Sequence, residues 1–149
     1  TIGLEALRLR PKLKLISIDK RLGSQMLVEE NAKKLGVSPK KIIESDVRNL
    51  LTNNLQNIFS NENRVVIGGC DLDTKIQIID YISKFLKTGD IIVLPIITYE
   101  ALKDVSNCLR QLNFETSMNL IQTFKGLSIA EGTRLEPNNP VFIIKAKKK

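Results

Sequence analysis

Arg64-Val65-Val66-Ile67-Gly68-Gly69-Cys70-Asp71-Leu72-Asp73 is the stretch whose reading decides the fold. The unbroken β-branched run from Val65 to Ile67 reads as a strand buried on both faces, as in a parallel sheet. Gly68 and Gly69 at its carboxyl end let the backbone turn, or approach a ligand, with no Cβ in the way. In open α/β sheets ligands sit at the carboxyl ends of strands. The pair Gly68–Gly69 is therefore expected to floor a small-molecule site. A helical pattern follows from Thr74 to Leu86, with Asp73 placed to cap it and Ile76, Ile79, Ile82 and Leu86 as its buried stripe.

Outward from that stretch, helices and strands alternate. Towards the N-terminus, Ile2 to Leu9 reads as a helix with Ile2, Ala6 and Leu9 on one face, stopped by Pro11. Leu13 to Ile18 reads as a strand with Asp19 at its tip. Gln25 to Leu35 is a helix turning Val28, Ala32 and Leu35 inward, with Gly36 as its C-terminal cap. Lys41 to Glu44 is a short strand closing on Ser45–Asp46, and Val47 to Phe59 is helical. Towards the C-terminus, Asp90 to Ile96 is a continuous apolar strand, and Thr98 caps a helix carrying Leu102, Val105, Leu109 and Leu112. Phe114 to Phe124 and Val141 to Ala146 are strands with no helix between them, joined by a long loop with Gly126, Gly132 and Pro137-Asn138-Asn139-Pro140. The alternation predicts a mostly parallel, doubly wound α/β sheet that ends in an antiparallel hairpin at one edge.

Composition narrows the function classes. A chain of 149 residues suits a single domain with a real core. No apolar run approaches the ~20 residues of a membrane span, and nothing resembles a signal peptide, so a cytoplasmic protein is expected. Cys70 and Cys108 lie far apart without metal-ligand spacing and read as reduced thiols. The chain has no histidine, which excludes Ser-His-Asp and Cys-His catalysis and any histidine-ligated metal. No metal site is expected.

The net charge of +7 is concentrated in two places. One cluster is Arg8, Arg10, Lys12, Lys14, Lys20 and Arg21; the other is Lys145, Lys147, Lys148 and Lys149. These read mainly as solvated faces and a frayed tail, with a share left to attract an anionic ligand. Aromatics make up only 5% of the chain and do not interleave with basic residues, so nucleic acid is not the expected partner.

Four strings carry a family resemblance. They are Asn139 to Ile144 before the basic end, Ile67-Gly68-Gly69, Ile97 to Leu102, and Thr1 to Ala6 with its Glu5. Together they resemble the decarboxylating precorrin methyltransferases of cobalamin biosynthesis, which act on carbon 15 of the corrin precursor. The resemblance implies a Rossmann-like class I methyltransferase fold with S-adenosylmethionine as cofactor. It also implies C-methylation, with decarboxylation, of an anionic tetrapyrrole. A homo-oligomer, a tetramer in this family, is implied too, and a fused second methyltransferase domain is compatible with it. Pro95 departs from the family's Asn, and Cys70 from its Ser. The family's first strand and glycine-rich loop would immediately precede Thr1. In the strand order 3-2-1-4-5-7-6 that strand would lie between Leu13–Ile18 and Arg64–Gly69. The chain thus reads as an N-terminally truncated methyltransferase domain, with ~25–45 further residues expected upstream.

Site residues follow from the resemblance, each beside a plainer alternative. Asp19 would accept hydrogen bonds from the ribose hydroxyls, or else pair with Lys20 or Arg21. Ser45, Asp46 and Val47 would position the adenine, although Asp46 also suits a helix N-cap. Ile67, Gly68 and Gly69 would bring the donor sulfur to the acceptor carbon, or merely turn the chain. Thr98 and Glu100 would line the acceptor pocket, or serve as an N-cap and first-turn acid. Lys125, Arg134 and Arg110 are candidates for a field that attracts carboxylates. No residue is assigned as catalytic, and nothing beside Cys70 in the sequence would make it a nucleophile. Two other functions remain open: an RNA methyltransferase of the same fold, although no Asn/Asp-Pro-Pro-Tyr string is present, and a non-catalytic methyltransferase-like module.

Overall fold

Gly3 sets the packing of the first helix in this computed structural model, which describes residues 2–52, 55–60 and 62–149. A Cβ at Gly3 would come within 2.7 Å of Leu15 Cδ1, so the helix lies flat against the Leu15 segment at this point. That contact fixes the rotation of α1 (Ile2–Leu9) and turns Leu4 and Leu7 inward, while Ile2 and Leu9 are exposed. The stripe expected at Ile2, Ala6 and Leu9 is thus out of phase.

The chain divides into two compact units, Thr1–Ile58 and Phe59–Lys149. In the first, β1 (Ile16–Asp19) pairs in parallel with β2 (Lys41–Glu44), in register from Ile16 opposite Lys41 to Asp19 opposite Glu44. Their carboxyl tips therefore align. The first strand starts later than Leu13 because the Leu13 N–H closes a turn onto the Arg10 carbonyl. The connecting helix α2 (Ser24–Leu35) ends at Gly36 as expected, in the left-handed conformation that glycine adopts without steric cost. Beyond β2 the expected long helix is shorter: α3 (Val47–Thr52) is followed by a 3-10 turn, Leu55–Ile58. The part of that expectation at Asn53 and Asn54 lies outside the described residues.

In the second unit, β3 (Arg64–Val66) pairs in parallel with β4 (Ile91–Ile96), and β4 pairs antiparallel with β8 (Val141–Lys148). The far side of β8 pairs antiparallel with β5 (Phe114–Ile121), giving the order β3-β4-β8-β5. This is the parallel-then-hairpin arrangement the sequence predicts. Two helices, α4 (Leu72–Ser83) and α5 (Tyr99–Gln111), connect the strands. Ile78, Ile79 and Ile82 of α4 and Leu102, Val105 and Leu109 of α5 are buried, as are Ile92, Leu94, Ile96, Phe114, Ile144 and Ala146 of the sheet.

Four expectations change here. The β3 strand is a three-residue edge strand with Val66 48% exposed, so it is not buried on both faces; only Ile67 beyond it is buried. Asp71, not Asp73, caps α4: its carboxylate accepts from the Thr74 N–H at 2.8 Å and the Thr74 hydroxyl at 2.9 Å. The helix starts two residues earlier than predicted, and Ile78 takes the inward place expected of Ile76. The supposed long loop is a ribbon, β6 (Phe124–Ile129) against β7 (Gly132–Pro137), turning at Ala130–Glu131. Finally, the lysine tail belongs to the sheet. The Lys148 N–H donates to the Asp90 carbonyl, and its ammonium donates to the Leu112 carbonyl and sits 4.7 Å from the centre of the Phe114 ring.

Asp90 fastens the head of β4. Its buried carboxylate accepts from the Asn63 N–H, the Asn63 amide and the Lys87 N–H, at 2.8, 2.8 and 2.9 Å. Among the described residues no helix is long and apolar enough to cross a membrane.

Candidate functional site

In the first unit the aligned tips of β1 and β2 place Asp19, Ser45, Asp46 and Val47 together at one sheet end, where the Ser45 N–H donates to the Asp19 carbonyl at 3.0 Å. Each aspartate is engaged by an arginine two residues on. The Arg21 guanidinium spans both Asp19 oxygens, closest at 2.6 Å, while the Arg21 N–H donates to Asp19 Oδ1 at 3.0 Å. Asp46 repeats the arrangement: the Arg48 N–H donates at 2.9 Å and the guanidinium reaches Oδ2 at 2.6 Å. Both plainer alternatives are thus present, the Asp19–Arg21 pair and the Asp46 cap on α3.

These pairs set the electrostatics. The hydrogen bond from Arg21, aided by its charge, lowers the Asp19 pKa from its ordinary 3.8. The Arg48 side chain and N–H hold the Asp46 carboxyl well below the usual carboxylate range. Both are therefore ionised acceptors at neutral pH. Beside them, Glu44 Oε2 accepts from the Gln25 N–H at 3.1 Å and sits at the positive start of α2.

In the second unit Ile67, Gly68 and Gly69 follow β3, and Thr98 and Glu100 follow its parallel neighbour β4. All five thus lie at carboxyl ends of adjacent parallel strands. The Ile67 N–H continues the ladder to the Val93 carbonyl at 3.0 Å, so the chain leaves the sheet only at Gly68. A Cβ at Gly68 would lie 3.4 Å from Pro95, while Gly69 has φ +70°, a conformation costly for other residues. Thr98 Oγ1 accepts from the Ala101 N–H at 3.3 Å, which caps α5 and leaves the hydroxyl hydrogen as a donor. Glu100 is exposed in the first turn.

The Arg21 pair with Asp19 was among the alternatives read from the sequence, whereas the Arg48 clamp on Asp46 was not expected, although the same Asp-x-Arg spacing recurs at 19–21 and 46–48. Lys75 was missed without a signal: it is buried in the first turn of α4, and its ammonium donates to the Cys70 carbonyl, bracing the loop after Gly69. Ile97 and Tyr99 are strongly exposed where β4 ends and flank Thr98. Burial and the Asp80 charge push the Cys108 thiol up, which makes it a poor nucleophile.

The donor set fits a nucleoside. Ionised carboxylates at adjacent strand tips accept hydrogen bonds from vicinal hydroxyls and from an exocyclic amine, and the Asp46–Val47 backbone lies beside them.

No protein-family model matches the chain, and no curated protein matches it by sequence. Solved structures do. The chain is similar to a precorrin-6Y C5,15-methyltransferase from Geobacter metallireducens, with TM-score 0.79 and 22% identity over 99% of this chain and 75% of that one. A precorrin-8W decarboxylase from Methanobacterium thermoautotrophicum gives TM-score 0.75 and 23% identity over 95% of this chain and 74% of its own. A tRNA (m1A58) methyltransferase from Aquifex aeolicus is more distant, with TM-score 0.58 and 11% identity over 91% and 53%. Likeness at such identities is a likeness of fold. The fold is the Rossmann-like α/β fold of class I S-adenosylmethionine-dependent methyltransferases.

Proposed function

We propose that the chain is a methyltransferase domain that transfers a methyl group from S-adenosylmethionine to a carbon of a precorrin or cobalt-precorrin, coupled to loss of a carboxylate. The likeness over 99% of the chain to a precorrin-6Y methyltransferase supports this most, because the quoted family strings occur in the same chain. In this reading Asp19 takes the ribose hydroxyls and Ser45, Asp46 and Val47 the adenine. Ile67, Gly68 and Gly69 border the reacting atoms, and Thr98 and Glu100 face the acceptor.

When bound, S-adenosylmethionine supplies an electrophilic methyl on a sulfonium. The chain's part is orientation, which can contribute ~7–11 kcal/mol without any acid–base group. A site lacking histidine suits that demand. Arg21 and Arg48 keep both carboxylates ionised, so a ribose would share Asp19 with its arginine. Arg110, Lys125 and Arg134 supply positive charge for the carboxylates of a tetrapyrrole. The family resemblance adds a homo-oligomer, and the two free thiols suit a cytoplasmic setting.

The tRNA methyltransferase likeness and the net charge of +7 favour RNA as the second acceptor. One incubation separates the readings, using methyl-labelled S-adenosylmethionine with a cobalt-precorrin and total RNA. Label in the tetrapyrrole, with loss of carbon dioxide, is expected. Label in RNA supports the second reading, and label in neither leaves a non-catalytic module.

A further inference from the structure

Helix α5 buries one stripe of side chains and offers another. Leu102, Val105 and Leu109 are buried, while Tyr99, Lys103, Ser106 and Arg110 recur at helical spacing and share a second face. That second stripe lines an open groove of about 270 Å³, floored by Leu102 and walled on the far side by Met118 of β5. Tyr99 is 73% and Met118 53% exposed, so the apolar walls face solvent. The groove begins where β4 ends, because Tyr99 directly follows Thr98, the cap of α5.

Its charge is one-sided. Lys103 and Arg110 lie two helical turns apart, about 10 Å along the axis. Among the described residues neither forms an ion pair, whereas Arg21, Arg48 and Lys84 each do. Glu100 and Asp104 are exposed on the same helix, but neither lines the groove. Between the two cations the lining is polar and uncharged, from Ser106 and Asn107. Apolar walls beside a pair of cations select an anion with an apolar body. An inorganic anion would leave Tyr99, Leu102 and Met118 unused, and a nucleic-acid strand calls for a longer basic track.

We propose that this groove seats the methyl acceptor, a flat and largely apolar molecule whose carboxylates reach both Lys103 and Arg110. The planar guanidinium of Arg110 takes one carboxylate by paired hydrogen bonds, and Lys103 holds another as a point charge. Tyr99 and Met118 cover the apolar body, the first as a rigid ring and the second as an adaptable thioether. Thr98 then stands at the reacting end. The inference rests on the methyl-transfer reading for the role of its occupant, and it gives that reading an acceptor subsite. Contacts this far from the reacting carbon hold ground state and transition state alike, so they act on acceptor affinity and leave the chemical step unchanged.

Fluorescence titration with uroporphyrin, a flat macrocycle ringed by carboxylates, tests it without any methyl transfer. Saturable binding is expected, and Lys103→Glu/Arg110→Glu should weaken it about tenfold or more with an unchanged far-UV circular dichroism spectrum. Tyr99→Ala, which alters no charge, should weaken it about threefold. Lys145→Glu/Lys147→Glu makes the same change in net charge on the opposite face of the sheet and should leave binding within about twofold. No saturable binding, or equal loss in the two charge-reversed proteins, would overturn the inference. Binding through the groove without methylation of a cobalt-precorrin would instead sink the methyl-transfer reading alone. Methylation with an unchanged KM in Lys103→Glu/Arg110→Glu would sink only the groove.

Discussion

The strands β4 and β5 lie in one sheet, on either side of β8, and use apolar residues in opposite ways. Leu94 on β4 is wholly buried, whereas Met118, in the same cross-strand row, is half exposed. Residue type does not explain the difference; cover does. On β4 the chain encloses its own apolar surface and builds the core that positions the carboxyl-end loops. On β5 the equivalent surface stays exposed. The lesson is that one hydrophobic pattern can specify a core at one strand and an open apolar face two strands away.

Truncation on the two strands gives the sharpest contrast. Leu94→Ala should cost about 2–5 kcal/mol in urea unfolding, while Leu120→Ala, measured at dilution, should stay within about 0.5 kcal/mol. Comparable losses at both positions would break the comparison. At the head of β4, Asp90→Ala strands three donors, two of them on Asn63, and should lower stability by roughly 3 kcal/mol, with Asp90→Asn milder. Smaller again is the capping test. Asp71→Ala should cost about 1 kcal/mol and Asp73→Ala only a few tenths, by thermal unfolding.

The smallest effect lies in the pH response of the first unit. Asp19 and Asp46 have folded pKa values below the unfolded one, so each favours the folded state above the ordinary carboxylate value of 3.8. That contribution is lost only as pH falls through the depressed values. It should therefore persist from neutrality down to pH ~4. Carboxyl carbon shifts in NMR should show both side chains still ionised there, and titration of either at an ordinary value would remove the clamps from the account.

Much of the fold was legible because strand ends and turn residues leave local marks. The bounds of β2 and the cap at Gly36 were read correctly, and Asp19 and Asp46 were placed at strand tips. The β6–β7 ribbon was not legible. Gly126, Gly132 and Pro137 look like loop punctuation, and a ribbon with two exposed faces has no buried face to impose a period of two. The phase of α1 was hidden because it depends on Gly3 meeting Leu15, twelve residues away in sequence. Asp73 suits a helix read as starting at Thr74; the actual start at Leu72 hands the cap to Asp71. Lys75 was invisible for a related reason, since its partner is a backbone carbonyl.

The central claim is tested most directly by mass spectrometry of a cobalt-precorrin incubated with the protein and S-adenosylmethionine. The account predicts product that has gained one methyl and lost one carbon dioxide, with turnover in Asp19→Asn reduced about tenfold at limiting cofactor. Unchanged tetrapyrrole, together with no heat on titrating S-adenosylmethionine into the protein, would contradict it.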